Sequence, residues 1–134
     1  MRFYMKDNVA DGSGGAGLVR FGDPSLRDGE IIGNIARQGG GIILDRCRLD
    51  IANTRFVSNN AQDYFAGPAP GGLGGGLSIL GGAPIIAHCT FDSNIATHRG
   101  GALFISEGCE GSINNVTLNN PVYYFHTFNY FTYN

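Results

Sequence analysis

The chain has 134 residues, 22 of them Gly, with 43% hydrophobic residues and a formal net charge of −2. A single Lys (Lys6) and scattered Arg form no basic patch, which argues against nucleic acid as a partner. The chain holds no run of 18 apolar residues, so no transmembrane helix is predicted, and its length allows one domain.

Residues 1–13 read as an N-terminal arm or a first strand, opening on Phe3-Tyr4-Met5 and lacking the apolar stretch of a signal peptide. Gly12-Ser-Gly-Gly-Ala-Gly-Leu18 has the look of a phosphate loop. It lacks the Lys-Ser/Thr ending and no helix follows, so no phosphate site is predicted. Residues 14–120 read as repeats, in rungs at 18–38, 39–61, 72–96 and 97–120. Residues 62–71 (Gln-Asp-Tyr-Phe-Ala-Gly-Pro-Ala-Pro-Gly) form an insertion expected to bulge from one turn as a loop. Residues 121–134 change character, with seven Tyr or Phe in the last 12 positions.

The repeats align on their first apolar residue, Leu26, Ile51, Ile86 and Ile113, at steps of 25, 35 and 27 residues. A further column reads Ile31, Phe56, Phe91, Leu118. Another reads Asn34, Asn59, Asn94 before Pro121 interrupts it, and a third Ala36, Ala61, Ala96. The apolar residue after each Gly run reads Leu18, Ile42, Leu77, Leu103. A fixed period of this size signals a solenoid. No window keeps helical spacing for ten residues, and Gly and Asn oppose helix. Short aliphatic runs between turn residues, such as Ile42-Ile43-Leu44, read as strands. About 25 residues per turn fits an all-β parallel β-helix with three short strands per rung.

The alternating motifs are Gly39-Gly-Gly-Ile42, Gly74-Gly-Gly-Leu77, Gly100-Gly-Ala-Leu103, Phe56-Val-Ser-Asn59 and Phe91-Asp-Ser-Asn94. They resemble the GGA-[ILV] and FxxN repeats of chlamydial polymorphic outer-membrane proteins and, more broadly, right-handed pectin-lyase-type β-helices. The resemblance covers Leu26 to Asn120. It implies a right-handed parallel β-helix of about four rungs displayed at a cell surface, and it carries no catalytic residue across. The chain departs from the pattern at Ile31, at Leu118 and Pro121, and where Gly replaces Ala in two Gly runs.

Stacked rungs lie about 4.8 Å apart, so equal positions touch. Ile31, Phe56, Phe91 and Leu118 are expected to form an apolar ladder. Asn34, Asn59 and Asn94 are expected to stack at a turn, adopting the left-handed backbone region and passing hydrogen bonds between rungs. Cys47 and Cys109 fall near one column but two steps apart, about 9.6 Å, beyond disulfide reach. With Cys89 in another column, three buried free thiols are predicted.

Four rungs make a short solenoid with exposed strand edges, so either the chain is a piece of a longer one or partners cover its ends. Tyr123, Tyr124, Phe125, Phe128, Tyr130, Phe131 and Tyr133 serve either as a cap over the open end or as an interface with another subunit or a membrane surface. For catalysis, Asp45, Asp50 and Arg48, with Arg46 nearby, are the candidates. Their neighbours one rung on, Leu80 and Ile85, are apolar, and Asp92 faces Val57 and Asn119. His88, His98 and His126 show no ligand spacing, and adjacent His88 and Cys89 should point to opposite faces of a strand. No catalytic, cofactor or metal site is therefore assigned. The function read is a non-enzymatic structural or interaction module. It is either an adhesin-type surface repeat or an accessory subunit of a larger, membrane-associated assembly. The alternative is a carbohydrate-active β-helix enzyme.

Overall fold

The computed structural model describes residues 2–63, 71–106, 108–119, 125–126 and 131–133, the last two segments through their backbone. Every element is a strand. The first turn comprises β1 (Phe3–Lys6), β2 (Val9–Ser13), β3 (Gly17–Arg20) and β4 (Ser25–Arg27). The second comprises β5 (Gly29–Ile32), β6 (Ile35–Gln38), β7 (Ile42–Asp45) and β8 (Asp50–Ala52). The third comprises β9 (Arg55–Val57), β10 (Asn60–Ala61), β11 (Leu77–Ile79) and β12 (Ile85–Ala87). The fourth comprises β13 (Thr90–Asp92), β14 (Ile95–Ala96), β15 (Leu103–Ile105) and β16 (Gly111–Asn114). Beyond it lie β17 (Thr117–Asn119), β18 (Phe125–His126) and β19 (Phe131–Tyr133).

Strands four apart pair in parallel as far as β17, β15 pairs with β18 and β16 with β19, and together they build four sheets. Sheet A is β1-β5-β9-β13-β17 and sheet B is β2-β6-β10-β14. Sheet C is β3-β7-β11-β15-β18 and sheet D is β4-β8-β12-β16-β19. The chain is thus an all-β parallel solenoid of about four turns. Each full turn has four strands, not three. The extra side is sheet B, whose strands β10 and β14 are two residues long, too short to leave a periodic signal.

The registers explain the columns. Leu26, Ile51, Ile86 and Ile113 are paired in sheet D. Met5, Ile31, Phe56, Phe91 and Leu118 are paired in sheet A. Ala10, Ala36, Ala61 and Ala96 are paired in sheet B. In sheet C the column is Gly17, Ile42, Leu77, Leu103, so Leu18 lies one place off the position expected for it and pairs with Ile43. Three-residue strands with the middle side chain inward make the pattern, as in Arg55-Phe56-Val57. Ile31, Phe56 and Phe91 are fully buried, and the two Phe rings stack with centroids 4.5 Å apart and planes 4° apart. Each such side chain contributes about 2–3 kcal/mol on burial.

The chain passes from each sheet to the next through a residue in the left-handed region. Between sheets A and B that residue is Asp7, Gly33, Ser58 or Ser93, with φ from 53° to 64°. The ladder asparagines follow these residues and do not themselves turn the chain, contrary to the sequence expectation. An L residue pays about 1–2 kcal/mol in this region, and Gly returns part of that as unfolded-state freedom. Ser58→Gly is therefore expected to raise the unfolding free energy by about 0.5 kcal/mol, read from urea denaturation.

The phosphate-loop lookalike is the first copy of the corner between sheets B and C. Gly14, at φ 71°, begins it, as Gly39, Gly74 and Gly100 begin the later copies.

The longer third turn leaves its column after β10. Asp63 and Gly71 flank residues 64–70, which lie outside the described residues. The Gly71 N–H donates to Asp63 Oδ2 at 3.3 Å, and the Gly72 N–H donates to the Arg37 carbonyl at 2.7 Å. Register is kept across the excursion, since Leu77 pairs with Ile42.

Candidate functional site

The most organised polar feature is a file of side-chain amides inside the corner between sheets A and B. Asn34, Asn59 and Asn94 are fully buried. Asn34 Oδ1 accepts from the Asn8 backbone N–H at 3.0 Å and from Asn8 Nδ2 at 2.8 Å. Asn59 Oδ1 accepts from Asn34 N–H at 3.1 Å and Nδ2 at 2.9 Å. Asn94 Oδ1 accepts from Asn59 N–H at 3.0 Å and Nδ2 at 2.9 Å. The second amide hydrogen of each buried member goes back one turn: Asn34 to the Met5 carbonyl, Asn59 to Ile31, Asn94 to Phe56, all at 2.8–3.0 Å. Burial without water makes this satisfaction obligatory. Asn8, one step before Asn34, was missed from sequence, although Met5-Lys-Asp-Asn8-Val-Ala10 repeats the spacing of Phe91-Asp-Ser-Asn94-Ile-Ala96.

The outward charged residues pair across turns. Asp45 Oδ2 accepts from Arg20 Nε at 2.7 Å and Asp45 Oδ1 from Arg46 Nε at 2.9 Å. Asp50 is paired with Arg27, and Glu30 with Arg55 at 3.3 Å. The Arg46 guanidinium also lies over the Phe21 ring, 4.6 Å from its centroid. Asp63 joins the base of the insertion, held by Arg37 and His98 Nε2, each at 3.3 Å. Exposed pairs of this kind contribute about 0–1 kcal/mol each; what they do is bind neighbouring turns together.

The catalytic candidates are not brought together. Asp45 ends β7 on sheet C, while Asp50 begins β8 on sheet D, around a corner from it. Arg48 lies beside Gly82, Ala83 and Glu110 on another patch. Asp50 pairs in register with Ile85, and Asp92 with Val57 and Asn119. Among the described residues no group of three or more His, Cys, Asp or Glu is placed to hold a metal ion. The described residues include no helix long and apolar enough to cross a membrane, which leaves a β-barrel unaddressed.

The Arg46 hydrogen bond holds the Asp45 carboxyl below its ordinary value against a smaller upward push from burial, with Arg20 adding to the lowering. For Asp63, burial pushes upward, and is outweighed by the Gly71 N–H, His98 and Arg37. Both folded values are depressed. The stability these two acids contribute is therefore complete above the ordinary carboxylate range and is lost as pH falls through their folded values. An acid titration of unfolding free energy should show this fall in wild type and a shallower one in the Asp45→Asn variant.

Cys47, Cys89 and Cys109 are free and buried. Cys47 pairs with Gly82, and the Glu110 N–H donates to the Gly82 carbonyl at 2.9 Å as the Ala83 N–H does to the Cys47 carbonyl, so Cys109 lies in the same column two turns from Cys47, its Sγ accepting from the Gly81 N–H at 3.1 Å. His88 is not on a strand. It occupies a left-handed corner at φ 53°, exposed, with Cys89 turned inside next to it, so the corner rather than strand alternation separates the two. Burial pushes the Cys89 thiol up to about 11 and also raises Cys47. A thiol reagent at mildly alkaline pH should therefore modify none of the three in the native protein and all three after denaturation.

Of the aromatic segment, Tyr123, Tyr124, Phe128 and Tyr130 lie outside the described residues. The backbones of Phe125 and Phe131–Tyr133 continue sheets C and D, with Leu103 paired to Phe125 and Gly111 to Phe131.

Four parallel sheets around one apolar core, with an amide file at a corner, define a parallel β-solenoid of the repeat type. Residues 88–106, which contain Phe91, Asn94 and the Gly100–Leu103 run, match the family described as Chlamydia polymorphic membrane protein (Chlamydia_PMP) repeat. That family is a repeat of membrane proteins and not a class of enzymes. No curated protein and no solved structure matches the chain.

Proposed function

We propose that this chain is a non-enzymatic repeat module of the surface-adhesin type, acting by presenting its faces, its ends and its aromatic C-terminal segment to other proteins. The observation that carries this reading is the use of the polar side chains. The buried amides and the outward ion pairs join turn to turn, and the acids at Asp45 and Asp50 are each neutralised by Arg on different sides of the solenoid. A match to a membrane-protein repeat supports placement at the cell surface, where the tail would contact another subunit or the membrane surface.

The test is protease shaving and impermeant labelling of intact cells of the native source, followed by polysaccharide-cleavage assays on the purified protein. Surface accessibility without cleavage supports the module. An inaccessible protein held at fixed stoichiometry in a complex replaces surface display with an accessory-subunit role. Cleavage that is abolished in Asp50→Asn overturns the reading in favour of a carbohydrate-active enzyme.

A further inference from the structure

Asn115-Val116-Thr117 is the only Asn-x-Ser/Thr triplet in the chain. With Val and not Pro at its centre, it has the form of an acceptor for N-linked carbohydrate. The file residues Asn8, Asn34, Asn59 and Asn94 all have Ala two places on, and Asn53 has Arg55 there. Sequence therefore excludes the buried amides as acceptors, as their burial does.

The fold turns this triplet outward. Asn115 sits at the corner between sheets D and A, in the left-handed region at φ 48°, in the column of Asp28, Asn53 and His88. All four are exposed. Asn53 and His88 are exposed although each has a stacked neighbour on both sides, so the corner itself opens this column to solvent. Val116 packs on the core. Thr117 is exposed and pairs in register with Thr90, one place before Leu118 of the inward column, so its hydroxyl lies on the outer side with Asn115. Asn115 Nδ2 donates one hydrogen to His88 Nδ1 at 2.9 Å, and its other hydrogen has no partner among the described residues. The three thiols are buried, so an oxidising compartment leaves them unpaired.

We propose that Asn115 is an acceptor for N-linked carbohydrate and that the glycan stands out from the corner between sheets D and A. The donor is an oligosaccharide carried on a lipid pyrophosphate. Asn115 Nδ2 bonds to the anomeric carbon, and the bond from that carbon to the pyrophosphate oxygen breaks. The lipid pyrophosphate leaves with the bonding pair, and one Nδ2 proton passes to a base of the transferase. The hydrogen that remains on Nδ2 still donates to His88, so the product keeps the corner as it is. This rests on the export that surface display requires, and not on the display itself.

The test is peptide mapping by mass spectrometry of the protein from its native source, before and after a peptide N-glycosidase. The peptide holding Asn115 is expected to carry carbohydrate mass and to show Asp at that position after digestion. Expressed in the same source, Asn115→Gln and Thr117→Val should lose all N-linked carbohydrate, while Thr117→Ser and Asn53→Gln should keep it. An unmodified Asn115 in the native protein, or N-linked carbohydrate that survives Asn115→Gln, overturns the proposal. Surface-accessible protein without carbohydrate sinks this inference alone. Glycosylated protein held on an internal membrane sinks surface display alone.

Discussion

Asn59→Ala is expected to lower the unfolding free energy by about 4 kcal/mol, a large share of the ~5–15 kcal/mol available to a small protein. Asn59 is fully buried in the middle of the amide file. Its removal strands the Asn34 backbone N–H, one Asn34 amide hydrogen and the Ile31 carbonyl. Each buried orphan costs about 1–3 kcal/mol, and a water admitted to the cavity recovers part of that. Asn8→Ala makes the same chemical change at an exposed end and leaves one hydrogen bond less, so it should cost only about 0.5–1 kcal/mol. The comparison is made by urea denaturation. Equal losses for the two variants would sink the account of the file as a buried, mutually satisfied network.

Gly75→Ala is expected to cost about 4 kcal/mol or more and to leave little soluble protein. The reason is close approach. A Cβ there would sit 2.3 Å from the carbonyl oxygens of both Gly101 and Ile95, and these are backbone atoms that no rotamer change can move. Backing away would break the Gly75 N–H bond to the Gly100 carbonyl at 3.0 Å and the neighbouring Gly76 bond to Gly101 at 3.1 Å. Gly17→Ala is the matched control, since nothing lies within 4 Å of its Cβ. It should be neutral to within about 0.5 kcal/mol, or slightly stabilising through the unfolded chain. A soluble Gly75→Ala protein with wild-type stability would show that the turns can separate at this corner.

The all-β solenoid was legible because four-residue motifs recurred at a near-constant step, and equal positions must touch when turns stack. The pairing of Ile51 with Ile86 and of Phe56 with Phe91 followed from alignment alone. What was not legible had local causes. Met5 stands where later turns carry Ile or Phe, so residues 1–13 read only as an arm or a first strand and not as part of a full turn. Gly17 occupies the aliphatic place after the first Gly run, which drew Leu18 one position out of register. Two-residue strands such as Asn60–Ala61 carry no alternation, which hid the fourth side. The FxxN motif does not say which of its last two residues turns the chain. The structure gives the turn to Ser58 and Ser93, leaving the Asn side chains free to point inward. In the candidate site, Asp45 and Asp50 were legible as isolated acids, but their Arg20 and Arg27 partners come from the preceding turn, outside any local motif.

The neck of the insertion has a consequence for how such a chain can be extended. Asp63 is fastened to Gly71 and to the Arg37 side chain of the turn below, Gly72 is fastened to the Arg37 carbonyl, and the column resumes in register beyond them. The register on either side is thus fixed by residues outside the 64–70 segment. Closing a loop of twice the length there adds only about 0.6 kcal/mol. Foreign epitopes, tags or whole peptides can therefore be grafted between Asp63 and Gly71 while the rest is left untouched.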